Sequence, residues 1–295
     1  MSRTWPPLRR PDKARNVRFR LLALDIDGTL LDRDGRLLPS TVAAVQRARD
    51  AGIQPVLCTG RRYRRTWPVA RELGLEIPMI CNSGAVVKSP DGRSTLWRSD
   101  FDPDLALAIL DGFDRQGHRA LSFQDGSPED PDFVVHADPS GCPLMDDYLR
   151  KNRPHGAIDP DWRDRIAASS HFHFCAFGDR DQLLNLENLV REALGDRVQS
   201  FVQKSPSYLG TSCEVLRGDA NKWTAVLRMA ASWGIAPEEI CAVGDDMNDL
   251  PMIAAAGLGV AMGHAPDVVL GAADLITGDH DNDGVTALID QVLLV

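Results

Sequence analysis

The sequence has no CxxC pair, no long apolar run and no surplus of basic residues. Without paired cysteine spacing, Cys58, Cys81, Cys142, Cys175, Cys213 and Cys241 point to neither a zinc site nor a disulfide framework, and buried reduced thiols are expected instead. No stretch approaches the roughly 20 apolar residues needed to cross a bilayer. The longest candidate signal core, Leu21 to Leu24, runs straight into Asp25 and Asp27, whereas a secretory leader needs about 7–15 apolar residues. A soluble, cytoplasmic protein with no membrane partner is expected. Lys and Arg number 33 against 42 Asp and Glu, a net charge of −9. That balance argues against a nucleic-acid surface, which draws its affinity from clustered basic side chains, but leaves room for a local anion site. GxGxxG and the Walker-type GxxxxGK followed by Ser or Thr are also missing, so dinucleotide binding and a P-loop have no support.

What is present is enough for a packed core. Hydrophobic residues make up 43% and charged residues 25% of 295 positions, near globular averages and long enough for two domains. Residues 1–16 stand apart: Arg3, Arg9, Arg10, Lys13 and Arg15 among Pro6, Pro7 and Pro11 predict an extended, disordered tail. From Val17 onward short apolar runs alternate with amphipathic helices. The runs Arg20–Leu24, Pro55–Cys58, Pro78–Cys81, Ile240–Val243 and Gly259–Met262 suit strands buried on both faces. Ser40 is placed to cap the first helix, Gly52 to stop it, and Lys222–Trp233 reads as a helix ending at Gly234. Strands alternating with helices imply a parallel sheet with right-handed crossovers. Between about Val86 and Ser205 the rhythm changes to hairpin-like runs, Ala120–Phe123, Phe133–His136 and Phe172–Phe177, broken by turn-rich stretches at Gly126–Asp132 and Asp138–Pro143. This predicts a separate α+β insertion.

Four pieces carry the chemistry. The first strand ends in Asp25-Ile26-Asp27-Gly28-Thr29-Leu30, and in a doubly wound sheet ligands sit beyond the carboxyl ends of the strands. Two carboxylates two residues apart repel unless a cation neutralises them, and hard oxygen donors suit Mg²⁺; the alternative is a polar turn with Gly28 at the bend. The second strand ends Cys58-Thr59-Gly60-Arg61, bringing a hydroxyl and main-chain N–H groups to the same edge, where they can hold a phosphoryl oxygen. A later strand ends Gly244-Asp245-Asp246-Met247-Asn248-Asp249, which reads as a metal site or as capping of the next helix by Asp245 or Asp246. Lys222 opens a helix, a position that the helix dipole slightly disfavours for a cation.

In this order, with the insertion between the second and third pieces, the pattern resembles the haloacid dehalogenase superfamily over nearly the whole chain after Val17. It is most similar to the Cof-type phosphatases. Cys81-Asn82-Ser83-Gly84-Ala85 resembles that group's Asn-Gly-Ala stretch with Ser83 as an extra residue. Val260-Ala261-Met262-Gly263-His264-Ala265 and Asp283-Gly284-Val285 match its C-terminal pattern, with His264 where Asn is commoner; Trp223 replaces the usual small residue after the lysine. The resemblance implies a Rossmann-like doubly wound parallel sheet core over 17–85 and 206–295, with an inserted α+β cap over 86–205 that sets specificity. It also implies a Mg²⁺-dependent phosphatase acting on a small phosphorylated metabolite through an aspartyl-phosphate. Asp25 would be the nucleophile and Asp27 the acid and base. Thr59 and Lys222 would hold phosphoryl oxygens, with Gly60, Arg61 and Asn82 in the substrate-binding set. Asp25, Asp27 through its carbonyl, and Asp245 would bind the metal, with Asn248 and Asp249 completing or orienting its shell.

Two local patterns compete. Asp279-His280-Asp281-Asn282-Asp283-Gly284 begins like an EF-hand loop, but its twelfth position is Asp290, so a loop capping the last helix is expected. His171 and His173 alternate like metal ligands, although a half-buried strand explains them with fewer assumptions. A phosphomutase and a non-catalytic phosphometabolite-binding protein are the alternative functions, since fold alone does not choose among them.

Overall fold

The structure of the chain is a computed structural model that describes residues 5–6, 17–125, 130–135, 142–168, 170–204 and 210–294. The basic tail lies outside the described residues apart from Trp5 and Pro6, as do His136, Ser205 and most of the two turn-rich stretches. The chain forms two compact units, one running to Trp97 and resuming at Asn221, the other spanning Arg98–Ala220.

The first unit opens with β1 (Leu21–Leu24), α1 (Pro39–Asp50), β2 (Gln54–Leu57), α2 (Tyr63–Glu72), β3 (Met79–Cys81), β4 (Val86–Lys88) and β5 (Thr95–Arg98). The inserted unit holds α3 (Pro103–Arg115), β6 (Leu121–Phe123), β7 (Phe133–Val135), α4 (Pro143–Asn152), β8 (Gly156–Ile158), β9 (His173–Gly178), α5 (Arg180–Leu194), β10 (Val198–Lys204) and β11 (Thr211–Arg217). The first unit then closes with α6 (Lys222–Ser232), β12 (Ile240–Gly244), α7 (Leu250–Ala255), β13 (Leu258–Ala261), α8 (Asp267–Leu270), β14 (Leu275–Ile276) and α9 (Gly284–Leu288).

The core sheet is parallel, in the order β14-β13-β12-β1-β2. β1 lies inside it because Leu21-Leu22-Ala23-Leu24 offers no polar side chain to either face, and all four are buried. Its register sets the site: Leu24 pairs with both Leu57 and Val243, so the three strands stop together and the residues after them emerge at one edge. The strand order reverses beside β1, the position at which doubly wound sheets bind ligands. The expected strand at Pro78–Cys81 behaves differently. β3 joins β2 through a single parallel bridge, Cys58 to Ile80, and is otherwise the first strand of a three-stranded sheet with β4 and β5.

The inserted unit is a six-stranded sheet, β10-β11-β9-β6-β7-β8, antiparallel except for β7 and β8. Ile109 and Phe113 of α3 and Leu183, Leu186 and Val190 of α5 pack into one apolar cluster with Phe174, Ala176, Cys213 and Val215 of the sheet. Its limits differ from the expected 86–205. Val86–Lys88 pairs back onto β3, while Thr211–Arg217 lies between β10 and β9 inside the insertion's sheet. Hydrogen-bond pairing, which composition does not report, moves both boundaries.

Candidate active site

The strand ends bring Asp25, Lys222 and the Asp245–Asp249 segment together in the first unit. Asp25 continues β1, its N–H bonded to the carbonyl of Val243, and its side chain is almost fully buried. Lys222 Nζ donates to Asp25 Oδ1 and to Asp249 Oδ1, each at 2.6 Å, and the lysine is wholly buried. A lysine opening a helix thus faces away from solvent, and two carboxylates outweigh the unfavourable dipole. Asn221 fixes that helix start through a capping box with Thr224. Trp223 is partly buried against the core cluster beside Ala225 and Met229, so the bulky neighbour is accommodated.

Asp249 also organises its own segment. Its Oδ2 accepts the N–H groups of Asp245 and Asp246, each at 3.1 Å, folding the acidic run back on itself. Capping of α7 by Asp245 or Asp246 is therefore not what forms; the cap position is Asp249, without a side-chain cap bond. Gly244 is required there, since a Cβ would lie 2.3 Å from Asp249 Cγ. Gly28, at φ +79°, permits an equally close approach, because its Cβ would lie 2.2 Å from Asp245 Oδ2. Thr29 Oγ1 donates to Asp245 Oδ1 at 3.3 Å, and His264 Nε2 lies 3.6 Å from Asp245 Oδ2.

At the end of β2, Thr59 is fully buried and its Oγ1 accepts the Arg61 N–H at 3.1 Å, with Gly60 between them. The Arg61 guanidinium holds Asp27 by two bonds, Nε to Oδ2 at 2.6 Å and Nη2 to Oδ1 at 2.5 Å. Asn82 donates its N–H to the Arg61 carbonyl at 3.0 Å. Asn82, Ser83 and Gly84 all have positive φ, two of them non-glycine, a conformation that costs roughly 1–2 kcal/mol per residue. The turn brings Gly84 so near the chain that a Cβ would sit 2.2 Å from the Asn221 carbonyl. Ser83 Oγ accepts from Asn248 Nδ2 at 3.4 Å. Asn248 is thus directed to Ser83, while the carboxylates of Asp25, Asp245 and Asp249 form the acidic group.

Burial pushes the Asp25 carboxyl well above the ordinary carboxylate range; Lys222 opposes this, and Asp249, Asp245 and Asp27 add to it. Asp249 is raised for the same first reason and is likewise opposed by Lys222. Burial pushes Asp246 up to about 6. Asp25, Asp245 and Asp249 offer oxygens within 4.8 Å of one another. Lys222 supplies one positive charge against these three carboxyls, so their full ionisation would leave a net two negative charges, all on hard oxygen donors. That donor set and residual charge fit a divalent Mg²⁺.

Other expected features are placed elsewhere. Asp279 Oδ1 accepts the Asp281 N–H and an Asn282 amide bond, making a local turn; Asp283 stands at the start of α9 without a side-chain cap bond. Ser40, the expected cap of α1, bonds to Asp283 instead, since the helix starts at Pro39. His171 Nδ1 meets Ser122 Oγ at 2.7 Å and His173 Nε2 lies 3.3 Å from Glu214 Oε2, each tied to its own neighbour. Among the described residues, Asp25, Asp245 and Asp249 are the one group of three or more metal-ligating side chains. The sequence reading missed Asn221, Thr29 and the Ser83 bond to Asn248. Ser83's place as an additional residue in the Asn-Gly-Ala stretch was the available signal. No helix among the described residues is long and apolar enough to cross a membrane.

The chain matches the haloacid dehalogenase-like hydrolase family over residues 22–289. It is 28% identical over 286 residues to pyridoxal phosphate phosphatase YbhA of Escherichia coli (strain K12), covering 93% of this chain and 99% of that protein. It is 32% identical over 248 residues to the HMP-PP phosphatase of Klebsiella pneumoniae (strain 342), covering 83% and 85%. Among solved structures, a haloacid dehalogenase-like hydrolase from Bacteroides thetaiotaomicron superposes with a TM-score of 0.74 at 24% identity, over 93% of this chain and 99% of that one.

Proposed function

This chain belongs to the haloacid dehalogenase-like hydrolases as a Cof-type phosphatase, and we propose that it hydrolyses a small phosphorylated metabolite through an aspartyl-phosphate on Asp25. The observation that carries this reading is the buried carboxylate of Asp25, bonded to Lys222 beside Asp245 and Asp249 at the end of β1. Such a carboxyl is a poor nucleophile while protonated, and positive charge placed against it restores the anion. Mg²⁺ held by Asp25, Asp245 and Asp249 and by the Asp27 carbonyl would supply that charge and would offset the charge of the transferring phosphoryl group.

In the first half-reaction Asp25 bonds to phosphorus, the bond to the leaving oxygen breaks, and Asp27 gives that oxygen a proton. In the second, Asp27 takes a proton from water, which attacks phosphorus and frees Asp25 and inorganic phosphate. Lys222 and the Thr59 hydroxyl hold phosphoryl oxygens in both. The six free cysteines suit a reducing, cytoplasmic setting.

Phosphate release should be measured from a panel that includes pyridoxal phosphate, HMP-PP and sugar phosphates. Activity should vanish after dialysis against chelator and return with Mg²⁺, whereas full turnover in excess chelator contradicts the metal assignment. Asp245→Ala should lower Mg²⁺ affinity and activity far more than Asp246→Ala. Asp245 presents its carboxylate to the cluster, while Asp246 Oδ1 accepts the Met247 N–H at 2.7 Å. Equal damage from the two, measured by Mg²⁺ titration and turnover, counts against Asp245 as the ligand.

A further inference from the structure

Arg61 belongs to a strand end that resemblance assigns to substrate binding, yet its guanidinium is engaged with Asp27. The backbone of Arg61 is fixed from both sides. Its N–H donates to Thr59 Oγ1 at 3.1 Å, and its carbonyl accepts the Asn82 N–H at 3.0 Å. The side chain then presents Nε and Nη2 as a fork, each bond ending on a different oxygen of Asp27. A paired fork of this kind defines the direction of the carboxylate as well as binding it, because both oxygens must lie in the plane of the two N–H groups. The pair is not sealed: the Arg61 and Asp27 side chains are 16% and 24% exposed. At that exposure the pair can open and close at modest cost, unlike the fully buried contact between Lys222 and Asp249.

We infer that Arg61 is a positioning residue that acts through Asp27, aiming its carboxylate at the water of the second half-reaction, and is not a ligand of the transferring phosphoryl group. The inference rests on the phosphatase reading, in which Asp27 is the acid and base. Its two tasks ask for different things of the fork. As base, Asp27 must be a carboxylate held in one direction, which the closed fork provides. As acid it needs only a proton on one oxygen, which a carboxyl with about four lone-pair sites can carry, and an activated leaving group makes little demand on that step. Losing Arg61 therefore leaves the acid step open to Asp27 and removes the orientation needed for the base step. Misplacing a reacting group by about 1 Å can cost about 10²-fold in rate.

The test is a cycle of four proteins: the parent, Arg61→Met, Asp27→Asn and the double variant, assayed with Mg²⁺ on an activated aryl phosphate. Inorganic phosphate serves as a competitive probe of the phosphoryl site. Arg61→Met should lower kcat by about 10²-fold and leave the inhibition constant for phosphate unchanged, and it should add little to the loss already caused by Asp27→Asn. Arg61→Lys, which keeps the charge but not the fork, should recover only a small part of kcat and serves as the second variant if Arg61→Met folds poorly. A higher phosphate inhibition constant at unchanged kcat makes Arg61 a phosphate ligand and overturns the inference. A loss that multiplies fully with that of Asp27→Asn overturns it too. An Asp25→Asn control separates the two levels: if that protein turns over like the parent, the phosphatase reading itself falls, whatever Arg61 does.

Discussion

Lys222→Met is expected to destabilise the metal-free protein by about 3–5 kcal/mol and to lower kcat/KM by roughly 10²–10³-fold. Methionine fills nearly the same volume, so the loss reports charge rather than a cavity. Lys222 is wholly buried, and its two partners are carboxyls already pushed upward by burial; without the ammonium they rise further. The pH dependence follows in sign. A carboxyl whose folded pKa lies above its unfolded value contributes stability that is present below about 3.8 and lost as pH rises through the folded value. The deficit of Lys222→Met relative to the parent should accordingly be largest at neutral pH and shrink on acidification. Mg²⁺ should also recover part of it. Melting temperatures of both proteins between pH 4 and pH 8, with and without Mg²⁺, check this. A deficit independent of both pH and Mg²⁺ would mean that the lysine acts by packing alone.

Asp25→Asn and Asp27→Asn should fail in different ways. Without Asp25 no covalent intermediate forms on any substrate, and turnover falls to background. Asp27→Asn keeps the nucleophile and the main-chain carbonyl but lacks the proton donor and the base, groups that contribute about 10²–10⁴-fold. An activated ester hardly needs the acid, so the first half-reaction proceeds and the second stalls. Rapid-mixing kinetics should show a burst near one leaving group per Asp27→Asn site, then slow turnover, and no burst from Asp25→Asn. A burst from Asp25→Asn, or Asp27→Asn as fast as the parent on a poorly activated ester, would place the two carboxylates in the wrong roles.

The parts of the site that were legible in the sequence are those set by strand ends. Asp25, Thr59 and Asp245 each follow a short apolar run, and parallel registry carries all three to one edge once the runs are recognised as strands. Lys222 was readable as a residue but not as a buried one, because what draws it inward is a pair of carboxylates distant in sequence. Asn248 shows the same limit: its place in the acidic run gives no sign of the bond that its Nδ2 donates to Ser83. Arg61 entered the substrate-binding set by resemblance alone, and its pairing with Asp27 depends on the geometry of two strand ends. The domain limits were missed for a related reason. A change of sequence rhythm marks an insertion, but only hydrogen-bond partners decide which unit β4 and β11 belong to. The turn at Asn82–Gly84 gave no local sign of its left-handed backbone beyond the glycine, since the groups it meets, Asn248 at Ser83 and Asn221 at Gly84, are distant in sequence.

The measurement that tests the central claim most directly is the location of the phosphoryl group. Asp27→Asn protein should be mixed with substrate and Mg²⁺, quenched within the burst, and the acyl phosphate reduced with tritiated borohydride, which expels phosphate and leaves the label on the reduced side chain, before peptide mapping. The account predicts one label per chain on the peptide containing Asp25, and none when Asp25 is also replaced by Asn. Label on another residue, or a burst with no acyl phosphate to trap, would contradict Asp25 as the nucleophile.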